Sequence, residues 1–293
     1  MSNFKGKISV HAITWGQDHF KALEEASALG YTAIEPWSSF ALSYENRINE
    51  FKELLSSKGL VMTALYGGAS GEMNRRFIDP ASRKVIIDYN VRLARIIAEC
   101  GAQNLVFGPG GPRQKPTTMD ELKVAAETIN EAAKRTYDLG VKACLHPHLW
   151  TEVQDENELD TLMNLTDPEV VFFAPDTAHL TGGGMDPVAV IRKYRDRVAY
   201  VHLKDLTSKE ATKEDFPMLL GNESLPVFCE LGLGTINFQP VIEALSDIGY
   251  TGWMTVEIDQ STSTPIQSLE ICRNFVEREL NIPIKGVCYS HDT

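Results

Sequence analysis

VVFFAPDTAHL at 170–180 and VAYVHLKD at 198–205 decide the fold of this chain. Each opens as a short apolar run of the length and residue type of a strand buried on both faces. Each then ends in chemistry: Asp176 and His179 after the first, His202, Lys204 and Asp205 after the second. Strands that bury both faces and present Asp or His at their carboxyl ends build a site at the rim of a parallel sheet. The two runs predict a divalent-metal site at the top of a (β/α)8 barrel.

Working outward, the same alternation extends over the chain. Strands are predicted at 7–15, 32–37, 60–66, 104–108, 142–148, 170–176, 198–204 and 252–259. Helical spacing follows each: 18–29, 44–57, 80–100, 118–139, 155–165, a helix from 187, 238–248 and 265–280. Pro80 suits a first helical turn, and Thr118 with Glu121 fits a capping box. Gly67-Gly68 is read as the stop of strand three. Eight such units imply an α/β, (β/α)8 TIM barrel; a doubly wound sheet would announce itself with a Gly-rich first turn, and none follows ISVHAITW. The expectation is a single TIM-barrel domain over 1–293, with a long loop at 208–234 after strand seven and a C-terminal extension at 281–293.

The 293 residues carry a formal charge of −12, and 43% are hydrophobic. An anionic surface repels phosphate backbones and anionic lipid, so neither nucleic acid nor membrane is expected as a partner. The five cysteines, Cys100, Cys144, Cys229, Cys272 and Cys288, are odd in number and widely spaced. That points to a reducing compartment. The start, MSNFKGKISV, lacks a signal-peptide core, and no apolar run approaches the ~20 residues of a membrane span. A cytoplasmic location is expected.

The polar residues at predicted strand ends agree in type: Glu35 from strand two, His146 and His148 from strand five, Asp176 and His179 after strand six, His202 and Lys204 from strand seven, Glu257 from strand eight. Side chains alternate along a strand, so residues two apart face the same way. Mixed carboxylate and imidazole donors suit a divalent ion such as Mn, Co, Fe, Zn or Mg. Each residue also has a plainer role: Asp176 capping a helix, His146 in a core, Glu257 paired with Lys204. Together those roles weaken, because such groups are costly in a dry barrel without partners.

AIEPW at 33–37, HPH at 146–148, DTAH at 176–179, VHLKD at 201–205, GLGTINF at 232–238 and VEID at 256–259 resemble the sugar phosphate isomerase/epimerase superfamily, the xylose isomerase-like TIM barrels. The segments HPHLWTEVQDENELDTLM and PEVVFFAPDTAHLTGGG are similar to the inosose dehydratase-like branch, and the alpha chains of C-glycoside-cleaving lyases look like near relatives. The resemblance implies a metal held by Asp176, His202 and Glu257. Sugar epimerases place a Glu as fourth ligand at the end of strand five; here His146 stands in the best-aligned place, with His148 two on and Glu152 also within reach.

Loss of that carboxylate breaks the two-sided symmetry an epimerase profits from. The reading is therefore a metal-dependent lyase, a dehydratase or β-eliminase acting on a keto-sugar or keto-inositol through an enolate. A metal-dependent isomerase or epimerase is the first alternative, and a non-catalytic sugar- or partner-binding barrel the second. His146 or His148 is expected as base and a second His or Lys204 as acid. Glu35 binds substrate hydroxyls or orients a His. Trp15, Tyr66 and Trp150 are candidates to stack on a sugar ring, with core packing the plainer role for each. Glu152 and His179 are read as bordering the substrate, His179 alternatively as supporting the metal ligands or belonging to a second metal site. The barrel mouth leaves room for a homo-oligomer or a second subunit.

Overall fold

In the computed structural model, which describes residues 4–69, 75–211 and 225–284, β1 (Lys7–His11) lies inside a parallel sheet. Its order is β3 (Val61–Met62), β2 (Ala33–Glu35), β1, β11 (Trp253–Val256) and β8 (Val201–Leu203). A second sheet runs β4 (Ala64–Gly68), β5 (Asn104–Gly108), β6 (Lys142–Leu145), β7 (Val171–Phe173), also parallel. Only Thr63 separates β3 from β4, so one run of chain joins the two sheets on one side. On the other, parallel bridges Phe173–Val198 and Asp176–His202 close the circle. The result is the eight-stranded barrel expected from the alternation, and the residues that close it are the ones quoted first.

Alternation along the strands sorts residues by face. Ile8, Val10, Leu105, Phe107, Val201, Leu203, Met254 and Val256 point outward into the main core beneath the helices. Ala64, Val106, Cys144, Ala174 and Tyr200 form a separate cluster in the barrel interior. Cys144 is therefore a packing residue of the barrel interior. Below the mouth, a hydroxyl chain crosses the barrel: Ser9 Oγ to Thr255 Oγ1 at 2.5 Å, Thr255 Oγ1 donating to Tyr200 Oη at 2.5 Å, and Tyr200 Oη to Thr63 Oγ1 at 2.7 Å.

The outer layer contains α1 (His19–Ala28), α2 (Ser38–Leu42), α3 (Ile48–Ser57), α4 (Arg83–Glu99), α5 (Met119–Tyr137), α6 (Glu156–Leu165), α7 (Thr177–Gly182), α8 (Pro187–Lys193), α9 (Phe238–Asp247) and α10 (Pro265–Arg278). The Thr118–Glu121 capping box starts α5, and Asp155–Glu158 forms another on α6. The short α2 and α7 were not expected; neither is long enough to show helical periodicity. None of the described helices is long and apolar enough to cross a membrane.

Three expectations need correction. The ladders are shorter than predicted: β1 stops at His11, and Ala12–Trp15 form a 3-10 turn. Likewise β6 stops at Leu145 and β7 at Phe173, since the next residues lead to Pro147 and Pro175, which lack the N–H a ladder needs. Gly67-Gly68 does not stop its strand, because β4 runs through it. A Cβ at Gly67 would come within 2.6 Å of Asn90 Oδ1, and one at Gly68 (φ +79°) within 2.3 Å of Gly108 O. These glycines let helix and neighbouring strand approach closely. The segment 208–234 is not wholly loop: β9 (Asp205–Ala211) pairs antiparallel with β10 (Leu225–Cys229). Residues 212–224 lie outside the described residues, as do 285–293 of the expected extension and Cys288; Ile282 and Ile284 are buried.

Asn90 pins this architecture at the mouth. Its Oδ1 accepts from Gly68 N–H at 2.7 Å, and its Nδ2 donates to Gly68 O at 2.9 Å and Ile86 O at 2.8 Å, all buried. Asn90→Ala strands a buried N–H and carbonyl, and about 2–4 kcal/mol of stability should be lost. Urea denaturation of the two proteins measures it.

Candidate active site

Five of the seven histidines, His11, His146, His148, His179 and His202, gather at the barrel mouth with Glu35, Asp176, Lys204, Glu257 and Asp259. His202 is the hub. Its Nε2 donates to Glu35 Oε2 at 2.9 Å. Its Nδ1 faces Glu257 Oε2 at 2.8 Å and Asp176 Oδ2 at 3.9 Å. Glu35, expected to bind substrate or orient a His, does the second: buried, it fixes the ring and leaves Nδ1 turned to the carboxylates. This is the carboxylate–imidazole arrangement that orients metal-binding histidines.

Asp176 serves two roles with two oxygens. Oδ1 caps α7, accepting from Ala178 and His179 N–H at 2.8 Å each. Oδ2 is buried with no hydrogen bond. Glu257 divides likewise: Oε1 accepts from Lys204 Nζ at 2.9 Å, while Oε2 makes no hydrogen bond despite its 2.8 Å approach to His202 Nδ1. That approach is too oblique for a hydrogen bond. Two donors spaced near 3 Å, about the edge of a coordination shell with ~2.1 Å bonds, fit a shared cation. The tightest described donor set is His146, Asp176 and His202, whose ligand atoms lie within 4.8 Å of one another. Glu257 adjoins it through His202.

The histidines have assignable tautomers. His146 Nδ1 lies 3.1 Å from Ala174 O, and His148 Nδ1 2.7 Å from Leu149 O. Both carbonyls only accept, so each ring carries its proton on Nδ1 and leaves an Nε2 lone pair. His179 differs: Leu149 N–H approaches its Nδ1 at 3.4 Å and Lys204 Nζ its Nε2 at 3.3 Å. A neutral imidazole has one lone pair for these two donors. His148 and His179 lie ring to ring at 3.6 Å.

Charge explains the protonation states. Burial, then neighbouring His202 and His148, keeps His146 well below the usual histidine range; burial, then Lys204, brings His148 to about 4. His179 is likewise well below, through burial and then His148. Burial opposes the charge on His202, but Glu257 and Glu35 overcome it and hold the imidazolium well above its usual range. Burial also opposes the charge on Lys204, and Asp259 and Glu257 outweigh it, keeping the ammonium. Asp176 rises to about 7 through burial. Asp176, Glu257 and Asp259 act on Lys204 as the one described ammonium among them, while Glu35 faces His202 and His11. Unbonded buried oxygens, a carboxyl pushed up by burial and imidazole lone pairs fit a divalent cation.

The wall of the mouth is aromatic. Phe228, on β10, sits 4.2 Å from Lys204 Nζ to ring centroid and 5.2 Å from the His179 ring. Trp150 lies 6.1 Å from Phe228 and 5.8 Å from His148. Trp150 has φ +67°, a costly region for a bulky residue. Its N–H donates to Gln154 Oε1 at 2.6 Å and its carbonyl accepts from Arg113 N–H at 2.6 Å, holding it there. Tyr66 meets His146 edge-on at 5.5 Å.

Trp15 and Glu152 are not brought into this cluster. Trp15 Nε1 donates to Glu25 on α1 at 2.6 Å, and its ring packs in the outer core, because the 3-10 turn ends the strand before it. Glu152 accepts from Arg76 Nε at 2.7 Å and Phe77 N–H at 3.1 Å. Three residues escaped the sequence reading. Asp259, 2.7 Å from Lys204, ends a predicted strand and met the test applied elsewhere. His11, 3.6 Å from Glu35, ends the observed β1 but fell inside the predicted strand 7–15, so it was passed over. Phe228 carried no signal. Asp205 anchors GLGTINF: its Oδ1 accepts from Leu206 and Ile236 N–H, its Oδ2 from Gly232 and Gly234 N–H.

Glu35→Gln should weaken divalent-ion binding by about 10–100-fold with the fold intact, measured by competition with a chromogenic chelator. In the metal-free protein the Asp176 carboxyl is raised from 3.8 to about 7. Between those values the folded chain keeps a proton the unfolded chain has lost, so Asp176 costs stability increasingly as pH rises from about 4 to about 7. Metal-free Asp176→Asn should therefore gain melting temperature relative to wild type across that window. Parallel thermal melts at pH 4.5 and 7.5 check it.

The family model described as xylose isomerase-like TIM barrel matches residues 23–275. An inosose dehydratase of Lacticaseibacillus casei is 32% identical over 170 residues, 57% of this chain and 57% of its own length. The match thus spans little more than half of that relative. Another, from Geobacillus kaustophilus, is 28% identical over 298 residues, covering 93% of this chain and 94% of its own. Among solved structures, the probable 3-DHS dehydratase AsbF of Bacillus anthracis superposes with a TM-score of 0.72 at 17% identity, over 93% of this chain and 99% of its own; at that identity it speaks for the fold. On the family match, which runs from α1 into α10, this chain belongs to the xylose isomerase-like TIM barrels.

Proposed function

We propose that the protein is a divalent-metal-dependent dehydratase that removes water from a keto-inositol or keto-sugar. The observation that carries this is the one-sided arrangement at the mouth: a donor set of His146, Asp176 and His202 beside a third imidazole, His148, whose Nδ1 is tied to Leu149 O and whose Nε2 keeps its lone pair. The inosose dehydratase relatives support the substrate class. Mixed nitrogen and oxygen donors favour a transition ion, manganese, cobalt, iron or zinc, over magnesium. Glu257 would complete the ligand set by turning Oε2 toward it.

When bound, the ion supplies Lewis acidity that lowers the cost of an enolate. His148 takes the proton α to the ketone. Lys204 gives a proton to the β-hydroxyl; the C–O bond breaks, the C=C bond forms, and water leaves. On product release solvent takes the proton from the His148 imidazolium and returns one to Lys204, closing the cycle. Trp150 and Phe228 exclude water and offer the sugar ring an apolar face, and Tyr66 borders it. The four described cysteines are free, which fits a reducing cytoplasm.

Chelated protein should lose dehydration of a keto-inositol, and Mn or Co should restore it. His148→Gln should lower kcat by about 100-fold or more with metal affinity retained. Deuterium incorporated into intact sugar, with no water lost, would instead mark an isomerase or epimerase.

A further inference from the structure

Glu257 belongs to two neighbourhoods at once. Oε2 faces His202 and the donor set beside it; Oε1 accepts from Lys204 Nζ at 2.9 Å. Around Nζ the structure also places Asp259 Oδ1 at 2.7 Å and His179 Nε2 at 3.3 Å, with the Lys204 side chain wholly buried. His148 adjoins them: ligand atoms of His146, His148 and His179 lie within 4.8 Å of one another. Two carboxylates and an imidazole converging on a buried cation are the donors of a mixed nitrogen–oxygen divalent site.

We infer that the barrel mouth holds two cation positions sharing Glu257, and that the Lys204 ammonium is the resident of the second. Glu257 Oε1 already meets the ammonium, and Oε2, once turned toward His146, Asp176 and His202, would give the other oxygen to the first cation. A divalent ion cannot join the ammonium there, because like charges at contact distance in a buried site repel strongly. Phe228 closes the remaining side with a ring face, which suits an ammonium. Lys204 thereby keeps the protein at one exchangeable ion per chain.

The inference rests on the metal reading above, and one experiment separates the two. Full-length wild type and Lys204→Met are dialysed against Co(II), and bound metal per folded chain is measured. Wild type should hold one ion and Lys204→Met two. Adding Asp259→Asn to Lys204→Met should remove the second ion and leave the first. In Lys204→Ala, methylammonium should compete with the second ion and return the ratio to one. Where the variants do not fold metal-free, they are refolded against increasing Co(II), and recovery should end at two equivalents. A wild type that binds no ion overturns the metal reading itself. One ion in both proteins, two in wild type, or refolding complete at one equivalent overturns the inference about Lys204.

Discussion

The site depends on the seam that closes the barrel. His202 N–H donates to Pro175 O at 2.9 Å, and Ala199 N–H to Phe173 O at 3.0 Å. These bonds join strands that would otherwise be the open edges of two sheets. They also set Asp176 and His202 side by side at backbone level, before any side chain is considered. The spacing of the two central donors is thus a property of the closed cylinder, and anything that opened the seam would remove fold and chemistry together.

Electrostatics makes the mouth a balanced rather than a stable arrangement. Burying carboxylates and imidazoles together is expensive, and pairing recovers the expense only when nearly every lone pair finds a partner. Here pairing is extensive but incomplete. Glu35 holds His202, Lys204 holds Glu257 and Asp259, and the helix start of α7 holds one oxygen of Asp176. The oxygens left over point to the place where the remaining compensation enters.

Much of this was legible in the sequence. The fold follows from β/α alternation, and the donors follow from polar residues at the ends of otherwise apolar runs. Asp176, His202, Glu257 and the strand-five histidines meet at the mouth for that reason. What was hidden has physical causes. Trp15 was drawn to the site because the strand was read four residues too long, and the 3-10 turn carries it back to α1. Glu152 lies beyond a Trp in left-handed backbone, whose turn of direction no periodicity records. Phe228 arrives from an antiparallel ribbon in a stretch without alternation, so its meeting with Lys204 is purely tertiary. The plain roles weighed for Asp176 and Glu257, a cap and an ion pair, also exist; each carboxylate uses one oxygen for them and keeps the other.

The hydroxyls of Ser9, Thr63, Thr255 and Tyr200 form a floor beneath the charged mouth, with Tyr200 edge-on to His202 at 5.6 Å between ring centres. A hydroxyl is donor and acceptor at once, and its hydrogen swings about the C–O bond without displacing a heavy atom. Such a floor reorients its dipoles when the charge above it changes. The strands beneath are then free to stay still through arrival and departure of a cation, with the adjustment borne by rotating protons.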